Sequence, residues 1–112
     1  MLPSAEDILG SLRRGALEFC ILGALERNQA YGYELTRILE DAGPLIGGEG
    51  TMYPLLARLR RSGWVTTSWQ ESTTGPPRRY YQLTTAGRDA LAVFRGIWPT
   101  FVGAVNSLTE GE

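Results

Sequence analysis

The chain has 112 residues, with 11 Lys+Arg, 12 Asp+Glu, no His, one Cys, 43% hydrophobic and 10% aromatic residues, and a formal charge of −1. One compact domain is expected at this length, and the missing His with a lone Cys excludes imidazole–thiolate metal sites, His-based catalysis and an intrachain disulfide. With no signal-peptide h-region and no uninterrupted apolar stretch of membrane length, the sequence points to a soluble protein of the reducing cytoplasm without a membrane partner.

The charge is segregated along the chain. Residues 1–49 carry four Arg against eight acidic residues, a balance of −4. Residues 50–95 carry Arg58, Arg60, Arg61, Arg78, Arg79, Arg88 and Arg95 against Glu71 and Asp89, a balance of +5, and Glu110 and Glu112 follow. Every basic residue is arginine, whose planar fork suits phosphate and guanine. A nucleic-acid partner is therefore compatible with a net charge near zero.

After a short polar start, residues 11–26 read as one helix. At 100° per residue, Leu17, Cys20, Ile21, Ala24 and Leu25 form one apolar arc, while Leu12, Ala16, Phe19 and Gly23 form another. A helix apolar on two faces needs cover twice, which a partner chain or burial at the centre of the domain would supply. Asn28-Gln29-Ala30 breaks the pattern. A second helix is predicted from about Tyr31 to Asp41, with Leu35, Ile38, Leu39 and Ala42 on its core face, and Gly43-Pro44 ends it. In a third, over residues 51–62, Met52, Leu55, Leu56 and Leu59 share one face and Gly50, Pro54, Ala57, Arg58 and Arg61 the other. Residues 64–71 and 78–83, rich in aromatic and β-branched residues, read as two strands of a hairpin. Its long turn carries Gly75 and Pro76, with the arginine pair at the tip. Thr84 or Thr85 can cap a last helix bearing Leu91, Phe94, Ile97, Trp98, Phe101, Val105 and Leu108. Pro99 is expected to kink that helix near Arg95 or to open a separate short one.

Three helices, a strand, a wing, a strand and a helix make a winged helix-turn-helix, an α+β fold that is mainly α. Its parts are an N-terminal extension (1–10), a DNA-binding domain (11–83), and a C-terminal dimerisation helix with its tail (84–112). In this arrangement the third helix enters the major groove. Gly50 and Pro54 keep its free face low, Thr51 and Tyr53 offer hydroxyls near its N-terminus, Arg58 and Arg61 lie further along, and Arg78 and Arg79 sit where a wing reaches phosphates or the minor groove. Glu49 suits the helix dipole but repels DNA phosphate.

The stretch from Arg13 to Leu25, Tyr31-Gly32-Tyr33-Glu34-Leu35, Gly50-Thr51-Met52-Tyr53-Pro54-Leu55-Leu56 through Arg58-Leu59, and Gly75-Pro76-Pro77-Arg78-Arg79-Tyr80-Tyr81 through Leu83-Thr84 with Gly87 together resemble the PadR family of bacterial transcriptional regulators. The resemblance implies a homodimer on a double-stranded operator, and repression relieved by a small molecule. With only one terminal helix after the wing, the chain is similar to the short subclass of lactococcal-type multidrug-sensing repressors. There the first and last helices of both subunits pair, and a Trp from each terminal helix flanks a flat pore for aromatic drugs. Trp98 falls at that position, and Leu12, Gly15 and Phe19 fall where the pore wall should be, with Phe101 also assigned to the effector site. Pro99 directly follows the pocket Trp and would reshape the pore.

Other chemistries fit the residues poorly. The glycine-rich run from Gly43 to Thr51 has no Lys and follows no strand, so it is not a phosphate loop. Cys20 has no neighbouring base or cation in sequence and reads as a core thiol. Glu40 and Asp41 are adjacent and do not converge as catalytic acids, so no enzyme, metal or cofactor is expected. The alternative is a winged helix used for protein–protein contact without specific DNA binding, since that fold does not dictate its partner.

Overall fold

Ser4 opens the first helix. In the computed structural model, which describes residues 2–46 and 48–111, its hydroxyl accepts from the Asp7 amide (3.1 Å) and the Asp7 carboxylate accepts from the Ser4 amide (3.2 Å). This reciprocal cap starts α1 (Ala5–Arg13) within the segment expected as a polar extension. Arg14 is extended and Gly15 has φ +86°, a left-handed conformation that glycine adopts without a Cβ penalty. α2 (Leu17–Arg27) begins beyond it, so the single helix predicted over residues 11–26 is two helices. Leu12 therefore lies on α1, where it is 65% exposed, and does not share a helix face with Phe19. On α2, Leu17, Ile21 and Leu25 are buried as their spacing requires; Leu22, outside both predicted arcs, is buried with them.

A two-residue strand, β1 (Ala30–Tyr31), occupies the break after α2. α3 (Gly32–Ala42) buries Gly32, Leu35, Thr36 and Leu39. Its core face is thus rotated from the predicted one, leaving Ile38 and Ala42 exposed. Thr36 is tolerated inside because its hydroxyl donates to the Gly32 carbonyl (3.0 Å). The glycine-rich run ends this helix, and its Gly47, with Met1 and Glu112, lies outside the described residues. α4 (Glu49–Arg61) buries Met52, Leu56 and Leu59, with Leu55 packed against the same core.

β2 (Val65–Gln70) and β3 (Arg78–Leu83) pair antiparallel from Val65↔Leu83 to Gln70↔Arg78, which leaves residues 71–77 as the wing loop. Arg78 and Arg79 open β3 and stand at the root of the wing, not at its tip. β1 joins the other edge of β3, giving the order β1-β3-β2.

α5 (Thr85–Thr109) starts at a cap made by Thr84, whose hydroxyl oxygen accepts from the Gly87 amide (3.0 Å) and donates to the Gly63 carbonyl (2.7 Å). Gly87 presses on the backbone of Trp64: a Cβ there would collide with the Trp64 carbonyl and come within 2.8 Å of Leu83. α5 continues unbroken through Pro99, so no separate helix begins there. Beyond Leu91 none of its residues is buried. The projecting helix gives a longest dimension of 57 Å and a radius of gyration of 16.0 Å, against about 13 Å for a compact chain of this length.

Candidate nucleic-acid interface

With Met52, Leu56 and Leu59 turned inward, the helical repeat places Gly50, Pro54, Ala57 and Arg61 on the outward side of α4. This side is low. Pro54 has no amide hydrogen to give the Gly50 carbonyl one turn back, so the outer surface also carries an acceptor free of that helical bond. Glu49, Gly50, Thr51, Tyr53, Pro54, Arg58, Arg60 and Arg61 are all exposed.

The two flanks of α4 differ. Toward α3, the Tyr53 ring lies against Gly32, where a Cβ would approach Tyr53 Cε1 to 2.6 Å. Its hydroxyl donates to Glu49 Oε2 at 3.4 Å. Burial, and then the neighbouring Glu49 carboxylate, push the Tyr53 phenol up from its ordinary value, so it stays a protonated donor. Tyr53, expected as a free DNA-facing hydroxyl, is therefore partly a packing residue. Toward α2, Arg58 Nε stands 3.2 Å from Glu18 Oε1, so this expected DNA contact is already held at one edge. Thr51 lies on the same flank, where it lines a cleft with Gly15, Glu18 and Arg58.

At the wing root, successive strand residues face opposite ways. Arg78 lies over the Tyr31 ring (4.5 Å) and Arg79 over its cross-strand neighbour Trp69 (4.9 Å). Both are half-buried, and Arg79 Nε has no hydrogen-bond partner among the described residues. Tyr31 also meets Tyr80 edge-on at 5.3 Å. The start of α3, the first turns of α4 and the root of β3 thus converge around Tyr31, Gly32, Tyr53 and Arg78. Tyr31 has no place among the residues predicted for DNA contact, because a two-residue strand leaves no periodicity to read.

The residues expected to hold an effector separate into two groups. Phe19 stacks on Phe94 (4.5 Å), Phe94 on Trp98 (5.2 Å) and Trp98 on Phe101 (6.0 Å), while Phe19 also meets Trp64 at 5.7 Å. This ladder runs from the end of α4 to the uncovered part of α5. Phe94, its middle rung, lies four residues before Trp98, and that i,i+4 spacing was the available signal for it. Leu12 and Gly15 are not rungs, because the α1–α2 break puts Leu12 on another helix and Gly15 in the turn. Below the ladder, Arg95 clamps α5 to α2 through two bonds to Glu26, at 2.7 and 3.0 Å. The Arg95 guanidinium holds the Glu26 carboxyl below its usual range. Burial raises the Cys20 thiol above its ordinary value and keeps it a thiol.

The sequence pattern of the transcriptional regulator PadR-like family matches residues 21–93. The chain belongs to this family. A PadR-like transcriptional regulator from Bacillus cereus is 35% identical, with a TM-score of 0.79 over 91% of this chain and 99% of that one. A PadR family regulator from Eggerthella lenta is also 35% identical, with a TM-score of 0.80 over 96% of each chain. A Streptococcus transcriptional regulator is 33% identical, with a TM-score of 0.77 over 88% of this chain and 97% of that one. The PadR-like fold is a winged helix, mainly helical, with a small antiparallel sheet and a C-terminal helix. As a family member the protein is a DNA-binding transcriptional regulator, and among the described residues no helix is long and apolar enough to cross a membrane.

Proposed function

We propose that this PadR-like regulator is a homodimeric repressor whose α4 enters the major groove of a double-stranded operator, and that a small apolar or aromatic effector at the dimer interface releases it. The observation that carries the reading is the outward face of α4: Gly50, Pro54 and Arg61 stand clear of the protein, with Thr51, Arg58 and the wing-root arginines beside them. The acidic and basic halves of the sequence agree with it, since the arginine-only segment is the one that contains α4 and the wing.

Dimerisation is supported by apolar surface that one chain leaves uncovered. On α5, Ile97 and Phe101 are each 60% exposed and Leu108 87%, and with Trp98 and Val105 they recur at helical spacing. α1 has no buried residue and exposes Ile8 and Leu12. Pairing these helices between two copies covers both faces and places Trp98 near its counterpart, where a flat aromatic molecule finds stacking partners. This resembles the short, multidrug-sensing members of the family, and a cytoplasmic location goes with it.

The test is a titration of a labelled duplex from the protein's own promoter, and of a scrambled duplex, across a range of salt. A specific reader prefers the promoter, and log K falls steeply with log salt. Equal binding of both duplexes at low salt would favour a winged helix that contacts protein.

A further inference from the structure

A second polar feature lies beside the recognition helix and joins two of the expected contacts, Thr51 and Arg58, to residues of the α1–α2 turn that were not among them. Between the α1–α2 turn and α4 is a cleft of about 370 Å³ lined by Arg13, Arg14, Gly15, Glu18, Thr51 and Arg58, among others. Three arginines line it, and their guanidinium groups are not equally engaged. Arg13 is committed, to Glu6 at 2.6 Å and to the Pro44 carbonyl at 3.3 Å. Arg58 is approached by Glu18 at Nε, which leaves its two Nη groups as donors. Among the described residues, Arg14 reaches only a neutral acceptor, the Ser11 hydroxyl, at 3.1 Å. Gly15, which also lines the cleft, has open space where a Cβ would stand.

We propose that this cleft seats one backbone phosphate of the bound DNA between Arg14, Arg58 and the Thr51 hydroxyl, with Glu18 fixing the orientation of Arg58. The proposal rests on α4 being the major-groove helix. A helix with its side chains is about 10–12 Å across and the groove about 12 Å wide, so the two flanks of an inserted helix face the two phosphate walls. Tyr53 and the wing-root arginines lie toward one wall. Thr51, Arg58 and Arg14 lie toward the other, and a guanidinium pair with a hydroxyl matches the charge and acceptor geometry of a phosphodiester. Arg14 is thereby a DNA contact although it lies outside the recognition helix and wing predicted to carry them.

The experiment compares wild type, Arg14→Ala and Arg27→Ala on the promoter duplex by fluorescence anisotropy across salt, with circular dichroism to show that each variant is folded. Arg27 is an exposed arginine at the far end of α2 and controls for general charge. The expected result is about tenfold weaker binding for Arg14→Ala, equal on promoter and scrambled DNA, with the salt slope reduced by about 1.8 for the two subunits of the dimer together, while Arg27→Ala keeps the wild-type slope. A scan of neutral methylphosphonates along the duplex then finds one position in each half-site that weakens wild type but not Arg14→Ala. A folded Arg14→Ala protein with wild-type slope and affinity, or with the same loss as Arg27→Ala, overturns the phosphate site. Failure of the wild type to prefer promoter DNA would overturn the major-groove reading instead.

Discussion

Arg58 and Arg78 are exposed and half-buried arginines whose neighbours decide what they can do. Glu18 holds Arg58 at one edge, and the Tyr31 ring lies under Arg78, so in the proposed DNA complex each would lose less side-chain entropy than a free arginine. Neither neighbour could be read from spacing: Glu18 is 40 residues from Arg58 and Tyr31 is 47 from Arg78. The polar identity of the α4 face, by contrast, followed from a 3.6-residue period within one helix. Trp98 is the residue through which the effector reading is tested. Stacked between Phe94 and Phe101 and 41% exposed, it is positioned to quench against a planar ligand. Titration of the wild type with an acridine dye is expected to quench tryptophan emission in a saturable way, and Trp98→Ala to remove the saturable part, leaving background from Trp64 and Trp69. Unchanged saturable quenching in the variant would place the pocket elsewhere.

At the scale of elements, α4, β2, β3 and the cap of α5 were legible because local signals agree there: a single apolar stripe, β-branched and aromatic runs, and a threonine at the helix start. α1 and α2 were fused in the reading because apolar residues continue through Arg14-Gly15-Ala16, and whether a glycine sits at φ +86° depends on the packing around it. The Ser4–Asp7 cap was the overlooked sign of an earlier start. α5 presents the opposite case. A proline inside a helix loses one hydrogen bond and its ring crowds the carbonyl four residues back, here that of Arg95, yet the helix continues. The cost should reappear on substitution: Pro99→Ala is expected to stabilise the protein by up to about 3 kcal/mol, measured as a higher midpoint of thermal unfolding by circular dichroism. An unchanged or lower midpoint would mean that Pro99 is favourable where it stands, as part of a packed interface.

For the whole molecule, the net charge of −1 was the least informative number, because it averages an acidic first half with an arginine-only segment. The winged-helix class was legible in the sequence, while the separate α1 and the strand β1 were not. The proposed self-association rests on apolar surface that one chain leaves uncovered, on α1 and along α5. Two copies joined there would present two α4 helices to successive major-groove half-sites, which recur about every 34 Å, so a small change in the α5 pairing changes whether both helices fit. Sedimentation of the protein with labelled promoter duplex, wild type beside Arg78→Ala, tests this account most directly. It predicts that both sediment at twice the 12.3 kDa chain mass without DNA, and that Arg78→Ala binds the duplex at least about tenfold more weakly. A variant that binds as tightly as wild type, or a wild type that binds as a 12.3 kDa monomer, would contradict it.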